Sequence, residues 1–426
     1  MIYKDFQNLR LPMLGFGSMR LPLLPGGGDG DVDEAAVAEM VALAMERGAN
    51  YFDTAYGYHN GNSERVMGRV LSRYPRESWL LASKFPGYDV SNIRPDRVEA
   101  IFEEQLEKCG VDYFDFYLFH NVYERNVGPY LDPDNRVLEY LLRQKEAGRI
   151  RHLGFSAHGS LAVIQRFLDA YGEYMEFGQL QLNYLDWDFQ GTRAKAEELN
   201  RRHIPIWVME PLRGGRLARL SDGDAARLAV LRPEESMPGW AFRFLQGVPG
   251  VTMVLSGMSS LEQLRANLDT FETDRPLSEA EKAALLDVAA RGRRKFVLVH
   301  FSTDIKTDLF EPGHYQTADI LRAAEHFFNG GTNFERPLKE AMRLLENGFE
   351  NTDITIITDG ESELTDAFTK EFRETLRRQR AAMTGILLDK DNACGKSLEP
   401  FCDRIFRTKE LTEDDIAVQL LNRKVS

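Results

Sequence analysis

Along the first 290 residues the hydrophobic positions repeat in a fixed order. A short run of apolar, β-branched and aromatic residues is followed by a longer stretch with apolar residues three and four apart. The short runs predict strands over 14–19, 51–54, 79–84, 114–119, 152–156, 179–183, 204–210 and 252–255. The longer stretches predict helices, clearest over 34–47, 95–108, 137–146, 161–171 and 261–268. Eight strands, each followed by a helix, predict a closed (β/α)8 barrel rather than an open sheet. Ahead of the first barrel strand, 2–6 and 9–11 predict a short hairpin across the barrel floor. The longest connections, 22–31, 122–135 and 213–232, follow the first, fourth and seventh strands, on the face where loops wall a pocket.

Near Arg291-Gly-Arg-Arg-Lys295 the pattern changes. The near-continuous apolar run 296–301 predicts a parallel strand buried on both faces. Further strands are predicted over 354–357, 385–388 and 404–407, with helices over 318–328, 337–346 and 365–380. This is a second α/β unit, open and doubly wound, and the predicted division is 1–290 and 291–426. A length of 426 residues agrees with two domains.

Composition narrows the partners. A net charge of -13 argues against nucleic acid, which needs a basic surface to displace counterions. Cys109, Cys394 and Cys402 are odd in number and widely spaced, so neither a disulfide framework nor a four-thiolate cluster is expected. The N-terminus lacks a basic stretch before an apolar core, and no window reaches 18 apolar residues. The expectation is a cytoplasmic protein without a secretion signal or membrane span.

The candidate chemistry lies at strand ends. In Asn50-Tyr-Phe-Asp-Thr-Ala-Tyr-Gly-Tyr-His-Asn-Gly-Asn-Ser-Glu64 a strand ends in Asp53, a glycine- and asparagine-rich loop carries Tyr58, and Asn62 or Ser63 is placed to cap the next helix. The third strand ends in Lys84 and the fourth in His120. Adjacent parallel strands set these four groups around one rim of the barrel mouth. A cation beside a phenol stabilises the phenolate, so the Tyr58 pKa is expected to fall from about 10 toward the working range. Asp53 is expected to pair with Lys84. Such a cluster protonates a carbonyl oxygen while hydride from a nicotinamide reaches the carbon.

Phe52-Asp-Thr-Ala-Tyr-Gly-Tyr58, Ser83-Lys84 and His120-Asn121 resemble the Asp, Tyr, Lys, His tetrad of the aldo-keto reductases in order and spacing. The resemblance covers residues 1 to about 285. It implies Tyr58 as general acid, Lys84 and Asp53 as its tuners, and His120 as the group that orients the carbonyl. It also implies cofactor contacts at Gly17, Ser18 and Met19, at Ser156 and Gln179 for the carboxamide, and at Pro211 and Leu212 beside the pyrophosphate. Met209 stands where many members stack a tyrosine on the nicotinamide. Gly257 and Gln263 stand where NADP-preferring members carry a Lys and an Arg, while Ser259, Gln263 and Asn267 fit adenosine binding at a helix start. NADP(H) is the family default and NAD(H) the alternative. Ile150-Arg-His-Leu-Gly-Phe-Ser-Ala-His-Gly159, Val208-Met-Glu-Pro-Leu-Arg-Gly-Gly215 and Leu255-Ser-Gly-Met258 are similar to a bacterial branch that continues into a cysteine-rich ferredoxin-like tail. That tail is missing from this sequence, so no iron–sulfur cluster is expected.

Gly330-Gly-Thr-Asn-Phe334 and Ile357-Thr-Asp-Gly-Glu361, with Val297-Leu-Val-His-Phe-Ser302 and Ser397-Leu-Glu-Pro-Phe401, resemble a bacterial intracellular von Willebrand factor A domain over about 291–420. The family's Asp-x-Ser-x-Ser metal loop does not occur, and 278–294 are needed for the last barrel helix. The unit is therefore expected to be incomplete, with Thr332 and Asp359 as remnants of a metal site and no bound metal. The expected function is reduction of an aldehyde or ketone, or the reverse, with a small carbonyl substrate. The rival is a binding protein that uses the C-terminal unit as its partner surface and leaves the barrel idle.

Overall fold

In the computed structural model the described residues are 1–189, 191–291, 296–302, 304–310, 319, 322–323, 333–346, 352–358, 362–387 and 395–407. The chain divides into two compact units, Met1–Gly292 and Arg293–Ser426.

In the first unit a hairpin of β1 (Tyr3–Phe6) and β2 (Leu9–Pro12) precedes eight parallel strands. These are β3 (Leu14–Gly17), β4 (Tyr51–Asp53), β5 (Leu80–Phe85), β6 (Phe114–Val122), β7 (Ile150–Ala157), β8 (Phe177–Gln181), β9 (Ile206–Met209) and β10 (Val251–Gly257). They close in the order β10-β3-β4-β5-β6-β7-β8-β9. The hairpin plugs the floor: the Phe6 ring lies 5.1 Å from Trp207 and 5.8 Å from Phe116. Two expected connections contain helices of their own, Val127–Leu131 after β6 and Asp222–Ala229 after β9.

Strand periodicity does the positioning. Phe6, Leu11, Tyr51, Ala82, Leu118, Phe177, Trp207 and Leu255 belong to one buried cluster inside the barrel. Inward-facing residues recur every second position. Tyr51, Ala82, Leu118, Phe177, Trp207 and Leu255 are each followed two residues later by Asp53, Lys84, His120, Gln179, Met209 and Gly257. The same spacing joins Gly15 to Gly17 and Gly154 to Ser156. At Gly15 an added Cβ would lie 2.6 Å from the Leu255 side chain, so the inward position on β3 stays bare. Register agrees, pairing Gly17 with Asp53, Ser156 with Gln179, and Gly257 with Gly17.

Three helices pack side by side outside the barrel, α2 (Asn62–Leu71) lying between α1 (Glu34–Glu46) and α3 (Pro95–Cys109). Neither Asn62 nor Ser63 caps α2. Gly61 takes the N-cap position with φ +82°, a conformation glycine adopts without strain, and makes no side-chain cap bond. Asn62 instead donates to the Gly30 carbonyl, and the Ser63 hydroxyl points into the wall.

In the second unit, β11 (Phe296–Phe301) pairs antiparallel with β12 (Ile305–Phe310). The expected doubly buried parallel strand is thus one arm of a hairpin, with residues 297–300 only half-buried. The connection 302–304 is far too short for a parallel crossover. A separate parallel sheet has the order β13 (Asp353–Thr358), β14 (Ala382–Leu387), β15 (Arg404–Arg407). Its core includes Phe334, Phe372, Leu387 and Phe401. Thr332, Asp359, Cys394 and most of the expected helix 318–328 lie outside the described residues. Among the described residues no acidic, histidine or cysteine group is arranged to hold a metal, and no helix is long and apolar enough to cross a membrane.

The barrel's two buried clusters draw on residues 2–289 alone. Residues 1–292 expressed without the remainder are expected to unfold in one cooperative thermal transition. Aggregation, or a broad transition without a calorimetric peak, contradicts this.

Candidate active site

Lys84 carries the site. Its side chain is fully buried, and its Nζ donates to Asp53 Oδ1 at 2.6 Å and to the Thr54 carbonyl at 2.7 Å. Tyr58 Oη lies 3.5 Å from the same nitrogen, the outer limit of a hydrogen bond, and the cation sits 4.9 Å from the Tyr58 ring centre. Burial opposes a charged Lys84, but Asp53 and Tyr58 outweigh it, so its pKa is raised and the ammonium persists. Burial pushes the Asp53 carboxyl upward, against the pull of Lys84.

Tyr58 departs from the expected direction. Its pKa is raised above 10, because burial outweighs the stabilising charge of Lys84. Asp53 and Glu210 add to the rise. The physical reason is desolvation first: removing the phenol from water penalises the phenolate more than Lys84, at the outer limit of hydrogen-bond distance, stabilises it. Tyr58 is therefore a neutral phenol that holds its proton.

His120 stands across the mouth, its ring centre 6.1 Å from that of Tyr58 and 5.2 Å from that of Tyr88. Its pKa lies well below 6.5, from burial first and then from Lys84 and His158. The imidazole is neutral at physiological pH. Its Nδ1 is buried without a hydrogen-bond partner among the described residues.

The Tyr58 loop is held in strained backbone. His59 and Asn60 both have positive φ, +52° and +53°. The Leu21 N–H donates to His59 Nε2 at 3.1 Å, so His59 Nδ1 carries the hydrogen toward the Asp29 carbonyl at 2.8 Å. His59 thereby ties the long connection after β3 to the loop. Asn121 and Glu210, at the ends of β6 and β9, also have φ of +54°.

The residues expected around the cofactor separate into groups. Ser156 and Gln179 are buried side by side. Gln179 Oε1 has no hydrogen-bond partner among the described residues, and its Nε2 reaches Met209 Sδ at 3.6 Å. Asn121, quoted in the sequence motif but given no role there, has the same property: its Oδ1 is buried and unpartnered. The Asn121 N–H donates to Ser156 Oγ, leaving the serine hydrogen available. Two acceptors and one donor on neighbouring strands match a primary carboxamide, which offers two N–H groups and one carbonyl.

The Ser18 hydroxyl is instead committed to the wall, donating to the Asp53 carbonyl at 2.7 Å, while Met19 is exposed. Asn267 is buried and donates to Ser256 Oγ at 3.1 Å. Gln263 Oε1 accepts from the Ser259 N–H, and Ser260 caps the helix Leu261–Thr270. Pro211 is buried and Leu212 half-buried at the start of the glycine-rich turn after β9. One cation escaped the sequence reading. Exposed Arg20 lies against Gly257, where a Cβ would meet its side chain at 3.3 Å, and its guanidinium lies 3.2 Å from the Cβ position of Gly214. Only the spatial meeting of β3, β9 and β10 ends places it there.

A depressed histidine pKa has a definite sign. As pH falls below about 6.5 the unfolded chain takes up a proton that folded His120 refuses. Its contribution to stability is present above that pH and lost below it, at no more than about 1.4 kcal/mol per pH unit. The thermal midpoint is expected to fall more steeply from pH 7 to pH 5 in the wild type than in His120→Gln. Equal slopes would contradict the neutral assignment.

Residues 13–289 match the model of the Aldo/keto reductase family. Among curated relatives, the NADH-specific methylglyoxal reductase of Escherichia coli strain K12 is 24% identical over 330 residues, covering 66% of this chain and 96% of that protein. An aldo-keto reductase of Mycolicibacterium vanbaalenii is 27% identical over 276 residues, 63% of this chain and 88% of its own. Among solved structures, an aldo-keto reductase from Bacillus halodurans superposes with a TM-score of 0.54 at 23% identity, covering 68% of this chain and 96% of that one. One from Klebsiella pneumoniae in complex with NADPH gives 0.54 at 21% identity, with the same coverage, and these likenesses are of fold. With the family match spanning most of its length, this chain belongs to the aldo/keto reductase family.

Proposed function

We propose that the barrel reduces an aldehyde or ketone, with Tyr58 giving the proton that the carbonyl oxygen needs. The carrying observation is the neutral Tyr58 phenol beside the buried Lys84–Asp53 pair. A bound nicotinamide supplies the hydride. Tyr58 donates its proton to the substrate oxygen and becomes a phenolate, which the Lys84 ammonium stabilises 3.5 Å away. Asp53 keeps that ammonium charged and aimed. Neutral His120 donates a hydrogen bond to the same oxygen and fixes its direction, since a neutral imidazole does not compete as the acid.

Asn121, Ser156 and Gln179 would hold the carboxamide, with Met209 beside them. Gly17, Ser18 and Met19 would line the cofactor's path from below, Ser18 by its backbone. Pro211, Leu212 and Arg20 would lie along the phosphates, and Gly257, Ser259, Gln263 and Asn267 around the adenosine. The curated relative named above is NADH-specific, while the Klebsiella structure contains NADPH. This chain has no cation at 257 or 263, so weak preference between the two cofactors is the reading that fits. We also infer a cytoplasmic setting, from the widely spaced cysteines, and a von Willebrand A-like second unit offering a surface to a protein partner. The alternation of Glu335–Glu346, β13, Asp366–Arg378 and β14 supports that second reading.

Tyr58→Phe is expected to keep cofactor affinity and lose two or more orders of magnitude in carbonyl reduction, roughly the worth of general acid catalysis. Near-normal turnover would remove the assignment. Dissociation constants for NADPH and NADH, read from quenching of intrinsic fluorescence, are expected to agree within about tenfold. Gln263→Arg should then tighten NADPH selectively, because charge-assisted hydrogen bonds to phosphate are strong. Rejection of NADH by a thousandfold in the wild type would show that another residue reads the phosphate.

A further inference from the structure

Tyr58 and Lys84 sit on different segments, and their 3.5 Å separation has to be fixed by something other than the loose contact between them. The loop that carries Tyr58 runs directly into α2, and Glu64 lies in the first turn of that helix. Glu64 is fully buried outside the barrel wall, where a carboxylate needs a reason to be. Its Oε1 accepts from Ser83 Oγ at 2.6 Å and from Gln105 Nε2 at 2.6 Å. Ser83 is the neighbour of Lys84 on β5 and faces outward because Lys84 faces inward. The Gln105 amide also reaches Ser83 Oγ at 2.9 Å and the Lys84 carbonyl at 3.1 Å, and Tyr117 Oη holds its other end at 2.5 Å.

Two further contacts close the strap. Glu64 Oε2 has Lys108 Nζ at 3.7 Å, and Lys108 pairs with Glu104 at 2.8 Å while lying 3.8 Å over the Tyr56 ring. Tyr56 Oη donates to Glu104 at 2.8 Å. The Tyr58 loop is thus gripped on one flank through Tyr56 and on the other through Glu64. The helices can approach this closely because residue 68 is glycine: a Cβ there would lie 2.5 Å from the Cys109 carbonyl oxygen.

We propose that Glu64 is a positioning residue for the reduction, a buried strap from the end of the Tyr58 loop to the backbone of Lys84 that sets the distance between the acid and its cation. It touches neither substrate nor cofactor. Glu64 acts by holding α2 against β5, so that the Lys84 ammonium stays where it stabilises the phenolate. This rests on Tyr58 being the acid.

The test follows reduction of para-nitrobenzaldehyde with NADPH by the full chain, as kcat against pH, alongside NADPH affinity and the thermal midpoint. Glu64→Ala is expected to lower kcat by roughly 10- to 100-fold, the cost of a misplacement of about 1 Å, with NADPH affinity unchanged. Because Lys84 pulls the Tyr58 pKa down, loosening the pair should move the alkaline limb of the profile to higher pH. Glu64→Gln, whose carbonyl still accepts from Ser83 and Gln105, should restore most of the rate and the profile. Ser83→Ala, which removes one hydroxyl and spares the carboxylate, should give a smaller shift in the same direction if Glu64→Ala does not fold. In a Tyr58→Phe background Glu64→Ala should cost little further rate. An unmoved alkaline limb in both Glu64→Ala and Ser83→Ala, or a rate loss that multiplies fully with that of Tyr58→Phe, would show a merely structural carboxylate and overturn the proposal. Near-normal turnover of Tyr58→Phe by itself would overturn the acid assignment and this inference together, whereas an inactive Tyr58→Phe with unmoved Glu64→Ala and Ser83→Ala profiles overturns only this one.

Discussion

A lysine ammonium with no exposed surface is the constraint on which this molecule turns. Taking a charge of that kind out of water costs several kcal/mol, which only close, well-aimed partners offset. Asp53 at 2.6 Å and the Thr54 carbonyl at 2.7 Å do so from the neighbouring strand end. The consequence spreads outward. The strand carrying Asp53 must stop there so that the Thr54 carbonyl turns toward Lys84. The next residues must then climb over the rim, which places Tyr58 within reach of the cation and partly shielded from water. A phenol so placed stays protonated at rest and gains a stabilised anion only when it gives its proton away, as an acid in turnover should.

The barrel supplies this pair with a frame at little local cost. On six of the eight strands an inward residue of the interior cluster is followed two positions later by a residue of the mouth, so one alternation builds both core and site. Glycines at 15 and 154 keep the interior uncrowded where Leu255 and Phe177 cross. Above this layer the order is irregular, and strained backbone gathers there. His59, Asn60, Asn121, Glu210 and Arg213 all have positive φ without being glycine. Side-chain hydrogen bonds from several elements over-determine that rim, which is how unfavourable conformations persist at working sites.

The second unit shows where pattern reading misleads. An apolar run such as 296–301 says that side chains will be shielded, but not which strand will shield them or in which direction. The three residues after it decide the matter, since only an antiparallel neighbour lies within their reach. By contrast 353–358, 382–387 and 404–407 are separated by enough chain for crossovers, and they pair in parallel.

The sequence by itself determined the alternation of strands and helices, the hairpin at the floor, and the strands that carry Asp53, Lys84 and His120, although β5 runs one residue past Lys84 and β6 two past His120. These follow from local periodicity, which each segment carries within itself. It also carried the order of the tetrad, because barrel neighbours are sequence neighbours here. Tertiary structure alone decided the balance of charge. Whether the Tyr58 pKa ends above or below 10 depends on burial first and then on the distances to Lys84 and Asp53, and none of these is a property of spacing. It alone revealed the Asn121 and Gln179 oxygens that have no hydrogen-bond partner among the described residues, and brought Arg20 beside Gly214 and Gly257 from nearly two hundred positions away or more. It alone joined Glu64 to Ser83 and Gln105. The reason is common to all of these: desolvation and hydrogen-bond satisfaction are sums over whatever surrounds an atom, and surroundings exist only once the chain has closed on itself.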